Sequence, residues 1–292
     1  MNERRTHFPK KMIPAALLLL FLLTGCGKQW EYKPVTNPFE LEGRRVGVGI
    51  ACDTDYVLTG RTDLTLVRYN EVSNILLALQ YDKIDLMALD ELLWKFTATS
   101  HGGLKAVTPA FASSGYIAYF HESLRPMRDE FNEFLARYQK TDEYADFLMR
   151  LEAFDGKSYV GKDIPLTGTG KTLRVAIDAE GFPRSFAEAD EDIPTGYDLE
   201  ALKLFANENG YKLEFTISSY DDMIYGLQGG LYDVAVGALS DRIDATALSS
   251  YLLATDPLYE SPLYFIEKTQ QDIEIIDPST PEQKSPADDT QH

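Results

Sequence analysis

An α/β protein built from two similar lobes is the fold class that the 292-residue sequence predicts. Short apolar runs alternate with segments whose apolar residues recur every three to four positions, which is typical of strands and helices packed in layers. This alternation fades near residue 165 and restarts at Leu173, and a short motif occurs in both parts. We therefore predict lobes at residues 41–125 and 166–267, with a helical segment and connection at residues 126–165.

The first lobe opens with an apolar run at residues 45–50, which predicts a buried strand. Residues 71–80 carry apolar side chains at positions i, i+3, i+4 and i+7, so we predict a helix there with Asn70 near its cap. Further strands are predicted at residues 84–88 and 116–120. Two helices follow, the first marked by Met127, Phe131, Phe134, Leu135 and Tyr138, the second by Tyr144, Phe147, Leu148 and Leu151.

The second lobe repeats the alternation after a connection at residues 155–172 that holds four glycines and one proline. Gly210 predicts the end of one of its helices. The predicted strands are 173–177, 212–217 and 232–237, and the predicted helices are 198–209 and 221–228.

Both lobes contain the pattern L-Q-x-x-x-[IY]-D. It places Asp85 six residues after Leu79, and Asp233 six residues after Leu227. In each lobe we expect a helix to end, the chain to turn and a buried strand to begin at the Asp. The opening strands also correspond, as Arg45-Val46-Gly47-Val48 and Arg174-Val175-Ala176-Ile177.

The N-terminus has the three parts of an export signal. Four basic residues precede an apolar run at residues 15–23, which is shorter than the roughly 20 residues of a membrane-spanning helix. The run ends in Leu23-Thr24-Gly25-Cys26, which resembles the lipobox of bacterial lipoproteins. The resemblance implies that residues 1–25 are a lipoprotein signal peptide and that a lipid on Cys26 holds the chain at the extracytoplasmic face of the cell membrane. The alternative is an ordinary cleaved signal.

The composition of the chain limits the classes of partner that it can bind. The net charge of −18, with no basic patch among aromatic residues, excludes nucleic acid as a partner and disfavours flat binding to anionic lipid. Residues 26–40 are polar and predict a tether, and residues 268–292 predict a disordered acidic tail. Cys52 is the second of two cysteines, and we expect it to be a small, buried, apolar residue.

Several blocks resemble the extracellular solute-binding proteins that deliver amino acids to ABC transporters. The second half of the chain carries LRVAIDAEGFPRSF, TGYDLEALKLFANENGYKLEF, SYDDMIYGLQGGLYDVAVGALSDR and TDPLYES, similar to the first lobe of that family. The first half carries LEGRRVGVGI, YNEVSNILLALQYDKIDLMALDELL and LRPMRDEFNEFLARYQKTDEYADFLMRLE, similar to its second lobe and final helices. The resemblance implies a two-lobed, type II periplasmic-binding-protein-like fold.

The order of the blocks is reversed relative to that family, in which the first lobe comes first. A circular permutation at the hinge explains this order, and nearby termini make it physically tolerable. A degenerate tandem array is the alternative.

The resemblance implies a ligand in a cleft between lobes that close on it. In the family, an arginine holds the carboxylate of the ligand and an acid of the second lobe holds its ammonium. Asp90 matches that acid, although it could equally cap the helix that follows. Arg242 is the carboxylate candidate or a solvated residue, and Gly237 and Ser240 precede it as further binding candidates.

Two segments depart from the family. Phe182 is a ligand-binding candidate, as a stacking platform or as core, but Arg184 stands where the family has a central aromatic residue. Asp53 and Thr54 occupy the turn where the family has G-T-T. Acids at Asp53 and Asp55 would repel an anionic ligand group, so a cationic ligand or no ligand gains weight.

Motifs for catalysis are missing. The histidines are scattered, no Cys/His spacing indicates a metal site, and Gly170-Lys171-Thr172 lacks the rest of a phosphate-binding loop. We expect no metal, no cofactor and no enzyme activity.

The leading hypothesis is a lipid-anchored binding protein for an amino acid or similar small polar solute, partnered with an ABC importer. The alternatives are a degenerate scaffold acting as a sensor or protein-interaction module, and a small dehydratase- or lyase-type enzyme.

Overall fold

The computed structural model describes residues 33–178, 180–187, 193–242 and 252–269. From Pro34 onward the chain forms one compact unit. Cys26, the signal peptide and nearly all of the predicted tail lie outside the described residues. Among the described residues, no helix is both long and apolar enough to span a membrane.

The described residues up to position 121 alternate strands and helices. The elements are β1 (Arg44–Gly49), α1 (Asp53–Leu58), β2 (Leu64–Tyr69), α2 (Val72–Gln80), β3 (Leu86–Asp90), α3 (Glu91–Ser100) and β4 (Leu104–His121).

After β4 the chain forms a short 3₁₀ turn and two helices, and then alternates again. The elements are α4 (Arg125–Tyr138), α5 (Asp142–Glu152), β5 (Thr172–Ile177), β6 (Glu180–Gly181), β7 (Ser185–Phe186), α6 (Tyr197–Glu208), β8 (Lys212–Ile217), α7 (Tyr220–Gln228), β9 (Val234–Ser240), β10 (Leu252–Ala254) and β11 (Tyr259–Lys268).

One mixed sheet runs through the unit in the order β2-β1-β3-β11-β4-β9-β5-β8, and β10 pairs with β4. Strand β1 is parallel to β2 and β3, and β5 is parallel to β8 and β9. The antiparallel pair β4 and β11 lies between these two sets. We call β1–β3 with their helices the first half, and β5–β10 with α4–α7 the second half, which includes the separate two-stranded sheet of β6 and β7. The α/β fold class predicted from the sequence is confirmed.

Strands β4 and β11 connect the two halves. The part of β4 before Ser113 pairs only with β11, whereas Tyr116–Phe120 pairs with β9. Strand β11 pairs with β3 from Leu263 onward, so it returns the chain to the first half. The chain therefore passes from one half to the other within these two long strands. The lobe ranges and the permuted order stay predictions.

Helices α4 and α5 pack on the second half. All five apolar markers of the first predicted helix are buried, and Phe131 packs edge-on against Phe205 of α6, with ring centroids 5.0 Å apart. Thr141 caps α5 by accepting a hydrogen bond from the Tyr144 N–H at 3.2 Å. The helical periodicity of α4 thus reflects one buried face, as expected for a helix on a sheet, whereas in α5 only Phe147 is buried and Leu148 is 39% exposed.

The shared L-Q-x-x-x-[IY]-D pattern produces the same local structure twice. In the first half, the N–H of Lys83 donates to the carbonyl of Ala78 at 2.8 Å, which closes the end of α2. In the second half, the N–H of Leu231 donates to the carbonyl of Gly226 at 2.8 Å and closes α7. Because these turns use residues 83–84 and 231–232, the strands begin two residues later than predicted.

The Asp of each pattern then binds the Arg that opens the neighbouring strand. Arg45 and Asp85 are joined at 2.7 Å, and Arg174 and Asp233 at 2.8 Å. Each carboxylate also accepts the backbone N–H of its arginine, at 2.7 and 2.9 Å respectively. The repeat found in the sequence is therefore a repeat of an ion-paired strand junction.

Two predicted details differ. The residue that caps α2 is Glu71, not Asn70, and it makes no side-chain capping bond. The predicted strand 116–120 is only the buried end of β4, because exposed and buried residues are mixed over residues 104–113 and give no continuous apolar run.

Candidate functional site

A cavity of about 670 Å³ opens at the carboxyl ends of β1, β3 and β9. In sheets with parallel strands this edge is where ligands commonly bind. Both halves contribute to its wall, the first through the turn at residues 49–54 and the end of β3, the second through residues 181–184 and the end of β9. A volume of this size is typical of small-molecule sites.

Arg184 lies buried at the wall of the cavity and is 5% exposed. Its guanidinium forms an ion pair with Asp90, and its Nη1 donates to the Tyr259 hydroxyl at 2.6 Å. The guanidinium carbon lies 3.4 Å from the centre of the Tyr116 ring, which is a close cation–π contact. Arg184 thus joins the two halves through one charged side chain.

Asp90 ends β3 and caps α3. Its Oδ1 accepts the N–H groups of Leu92 and Leu93, at 3.0 and 3.2 Å, and also the ion-pair bond from Arg184. Among the described residues, no hydrogen bond reaches its Oδ2. The capping role proposed from the sequence is therefore present, and the side chain also lies on the cavity wall.

Asp53 and Thr54 form the start of α1 on the cavity wall. Asp53 accepts hydrogen bonds from the Tyr116 hydroxyl at 2.8 Å and from the Thr54 N–H at 2.7 Å. Burial raises the pKa of Asp53, and the neighbouring Asp90 carboxylate raises it further, against the opposing effects of Tyr116 and Arg184. Taking this carboxylate out of water is costly, so its neutral form is favoured more than in solution.

A further carboxylate lies behind the wall. Asp198 of α6 is fully buried and accepts the Ala238 N–H at 2.8 Å and the Tyr259 hydroxyl. Burial raises its pKa, although the Arg184 charge opposes the change. Three buried carboxylates, those of Asp53, Asp90 and Asp198, therefore surround one guanidinium.

The structure brings most of the predicted binding residues together. Asp53, Thr54, Asp90, Phe182 and Ser240 line the cavity. The Phe182 ring lies 5.4 Å from that of Phe96 across the two halves.

Two predicted binding residues lie outside the described cavity wall. The guanidinium of Arg242 donates to the Ser113 carbonyl at 3.0 Å, and its backbone N–H donates to the Ser240 hydroxyl at 3.1 Å. Gly237 has a φ of +114°, and a Cβ there would come within 2.3 Å of the Ser185 hydroxyl oxygen, which explains the glycine sterically.

The environment of Cys52 differs from the prediction that this residue is buried. It is partly exposed and lines the cavity, because the turn after β1 faces the open space. Its thiol donates to the Gly49 carbonyl at 3.0 Å, and burial raises its pKa, so the unreactive thiol form is favoured.

Sequence reasoning did not assign a role to Arg184, Tyr116 or Tyr259. A signal for Arg184 was present, since a basic residue follows Phe182-Pro183 where the resembling family has an aromatic one. The two tyrosines gave no comparable signal, because aromatic residues in strands are most often core.

Solved structures resemble the chain at low identity. The ligand-binding component of an ABC-type import system from Staphylococcus aureus, with zinc bound, is 13% identical over 78% of this chain and 66% of that chain, with a TM-score of 0.39. The aliphatic sulphonate binding protein of Escherichia coli is 12% identical over 78% and 65%, with a TM-score of 0.40. The chain thus spans just under two thirds of the length of these two proteins.

A probable amino-acid ABC transporter extracellular-binding protein from Bacillus subtilis is 12% identical over 80% of this chain and 86% of that chain, with a TM-score of 0.39. No curated protein matches the chain. Residues 173–273 match the model of the bacterial extracellular solute-binding proteins, family 3, over roughly a third of the 292 residues. The part of the chain from β5 to β11 is therefore similar to extracellular solute-binding proteins.

Proposed function

We propose that the chain is an extracytoplasmic solute-binding protein that takes up an amino-acid-like or similar small polar solute in the cavity and delivers it to an ABC importer. A lipid on Cys26 would hold it at the membrane. The observation that carries the proposal is a cavity of about 670 Å³ lined from both halves by buried charged groups. Binding, not catalysis, is the proposed activity.

The chain path supports a cavity that closes on its solute. Two extended strands, β4 and β11, connect the halves, and domain closure in proteins commonly uses a few such connecting segments. Residues of both halves contact the same space, so a solute there would bridge them. Its binding energy would then favour the closed arrangement.

A degenerate scaffold that binds a protein partner is the second candidate. The observation that favours it is the ion pair between Arg184 and Asp90, which places a side chain of the protein against the acid expected to hold a ligand ammonium.

A thermal-shift screen of the purified full chain against amino acids, amines and small organic acids tests the proposal. A solute at 100 times its Kd should stabilise the folded state by about 2.7 kcal/mol. Two variants on α2 locate the site. Val72 lines the cavity, whereas Leu77 is exposed on the same helix and does not line it. Val72→Trp should abolish the shift and Leu77→Trp should keep it. If no solute shifts the transition, the second candidate replaces the first.

A further inference from the structure

We propose that the solute is an organic cation without a carboxylate, namely an amine or guanidine with an apolar body. The proposal rests on the proposed function, since it names the solute class of the same cavity. It comes from three features of the described wall: the excess of carboxylates, the engagement of its one guanidinium, and a free carboxylate oxygen beside an apolar surface.

The charges on the wall are unbalanced. The buried Asp53 and Asp90 and the exposed Asp221 line the cavity, and the buried Asp198 lies behind it, whereas Arg184 is the one basic side chain among the described lining residues. Carboxylates held out of water stay ionised only at a cost, unless a cation or hydrogen bonds compensate them. A cationic solute supplies that compensation, and an anionic group would increase the imbalance.

A solute carboxylate would find few charged donors. Arg184 already donates to Asp90 and to Tyr259, and it packs on the face of Tyr116. The backbone N–H of Thr54, at the turn after β1, already donates to Asp53 at 2.7 Å. The guanidinium of Arg242 lies off the described wall and donates to Ser113. The two guanidinium groups with which a carboxylate would pair are therefore engaged within the protein, and the donors that remain on the described wall, such as the side chains of Asn70, Tyr220 and Ser240, are uncharged.

A hydrogen-bond acceptor for a cationic solute is available beside the ion pair of Arg184 and Asp90. The three hydrogen bonds that described residues donate to the Asp90 carboxylate all reach Oδ1, so among these residues none donates to Oδ2, although Asp90 is only 5% exposed. Leu93, Phe96 and Phe182 form an apolar surface on the same wall. Aromatic rings also attract cations, as the contact of Arg184 with Tyr116 illustrates here. An ammonium or guanidinium near Asp90 with its carbon chain against the phenylalanines fits both features.

Pairs of compounds that differ only in the carboxylate provide the test. Isothermal titration of the full chain would compare agmatine with L-arginine, cadaverine with L-lysine, and phenethylamine with L-phenylalanine. At least one amine should bind roughly tenfold or more tightly than its parent amino acid, the loss expected when a charged group is buried without a partner.

Variants locate the contribution of the acids. Asp53→Asn and Asp221→Asn remove one carboxylate each from the wall. Asp53→Asn should weaken amine binding roughly tenfold, and Asp221→Asn roughly two- to fivefold because solvent screens its exposed side chain. Asp129→Asn, on the exposed face of α4, makes the same change of charge elsewhere and should leave binding unchanged. Circular dichroism checks the fold of each variant. If Asp53→Asn does not fold, Asp221→Asn decides, because its side chain is exposed.

The outcomes separate the two proposals. If an amino acid binds as tightly as its amine, or more tightly, the solute-binding function stands and the carboxylate-free class is overturned. If an amine binds equally well to wild type, Asp53→Asn and Asp221→Asn, the attraction is general surface charge and the class is again overturned. If no compound binds, the solute-binding function falls and this inference falls with it.

Discussion

Arg184 and Asp90 form a buried ion pair although they lie 94 positions apart in the chain and belong to different halves of the fold. Both side chains are at most 7% exposed. A buried ion pair is costly to assemble, but the loss of one partner costs more because the other charge is left alone.

Removal of either partner should therefore destabilise the protein. Arg184→Met and Asp90→Asn should each lower the free energy of unfolding by about 3–5 kcal/mol. The double variant should lose clearly less than the sum, because no lone charge remains. Urea denaturation measures all three values. Single losses below about 1 kcal/mol would show that the pair contributes little.

Asp53 gives a prediction about pH. Its pKa is raised by burial and by Asp90, so the folded state keeps its proton to higher pH than the unfolded chain, whose Asp has an ordinary value of 3.8. The stabilisation that comes from holding this proton is fully present below pH 3.8 and is lost as the pH rises through the pKa that Asp53 has in the folded state. Asparagine does not titrate, so the stability of Asp53→Asn relative to wild type should increase with pH. Denaturation of both proteins between pH 4 and pH 7 tests this, and a difference that does not vary with pH contradicts it.

The stability contributed by the two strand junctions, Arg45–Asp85 and Arg174–Asp233, should depend on pH in the same way as each other. The direction of this dependence should be opposite to that of Asp53. Burial raises the pKa of Asp85 and of Asp233, but the side-chain and backbone hydrogen bonds of Arg45 and Arg174 outweigh it, and both values fall below 3.8. Their stabilisation is therefore present above that pH and is lost as the pH falls.

Asp85→Asn and Asp233→Asn should each cost about 1–2 kcal/mol at pH 7, with a smaller cost at pH 3. Because the bonding is the same in both halves, the two costs should agree within about 1 kcal/mol. Denaturant unfolding at the two pH values supplies the comparison. A large cost at one junction and none at the other would show that the matching geometry does not reflect matching energetics.

Gly196 holds the backbone near Arg184. It has a φ of +138°, and a Cβ there would come within 2.1 Å of the Arg184 carbonyl oxygen, which belongs to the backbone and cannot move aside easily. Gly43 is a suitable control, since its φ is +73° and nothing lies within 4 Å of its Cβ position. Gly43→Ala should cost about 1 kcal/mol from backbone strain, and Gly196→Ala roughly 2 kcal/mol more. Thermal unfolding ranks the two, and equal costs would exclude the steric explanation.

The lipid on Cys26 is tested by fractionation. Cys26→Ser should release the protein from the membrane fraction or leave its signal uncleaved, because the acceptor for the lipid is gone. Cys52→Ser is the matched control, since Cys52 lies on the cavity wall within the folded unit. Mass spectrometry of the processed chains distinguishes the cases. Unchanged membrane association and mass in Cys26→Ser would refute lipidation.

Local periodicity alone was enough to predict α4, α5 and most of α2. A helix that packs one face on a sheet needs apolar residues at fixed spacing, and this spacing is visible without knowledge of its partner. The same holds for Asp85 and Asp233, whose turns and strand starts are local. The apolar run also predicted a strand close to Asp90, although β3 extends to Asp90 itself, two residues beyond the predicted end.

The arrangement of the cavity depended on tertiary structure. Asp53 meets Tyr116 over a separation of 63 positions, and Arg184 meets Tyr259 over 75. Strand β11 enters the sheet between β3 and β4, which no local pattern specified. Sequence patterns record how each segment buries its own apolar face, whereas the partner of a buried charge is decided by which segments the folded sheet brings within hydrogen-bond distance. For this reason the sequence by itself indicated only acids at the turn after the first strand, and the folded structure placed Arg184 against Asp90.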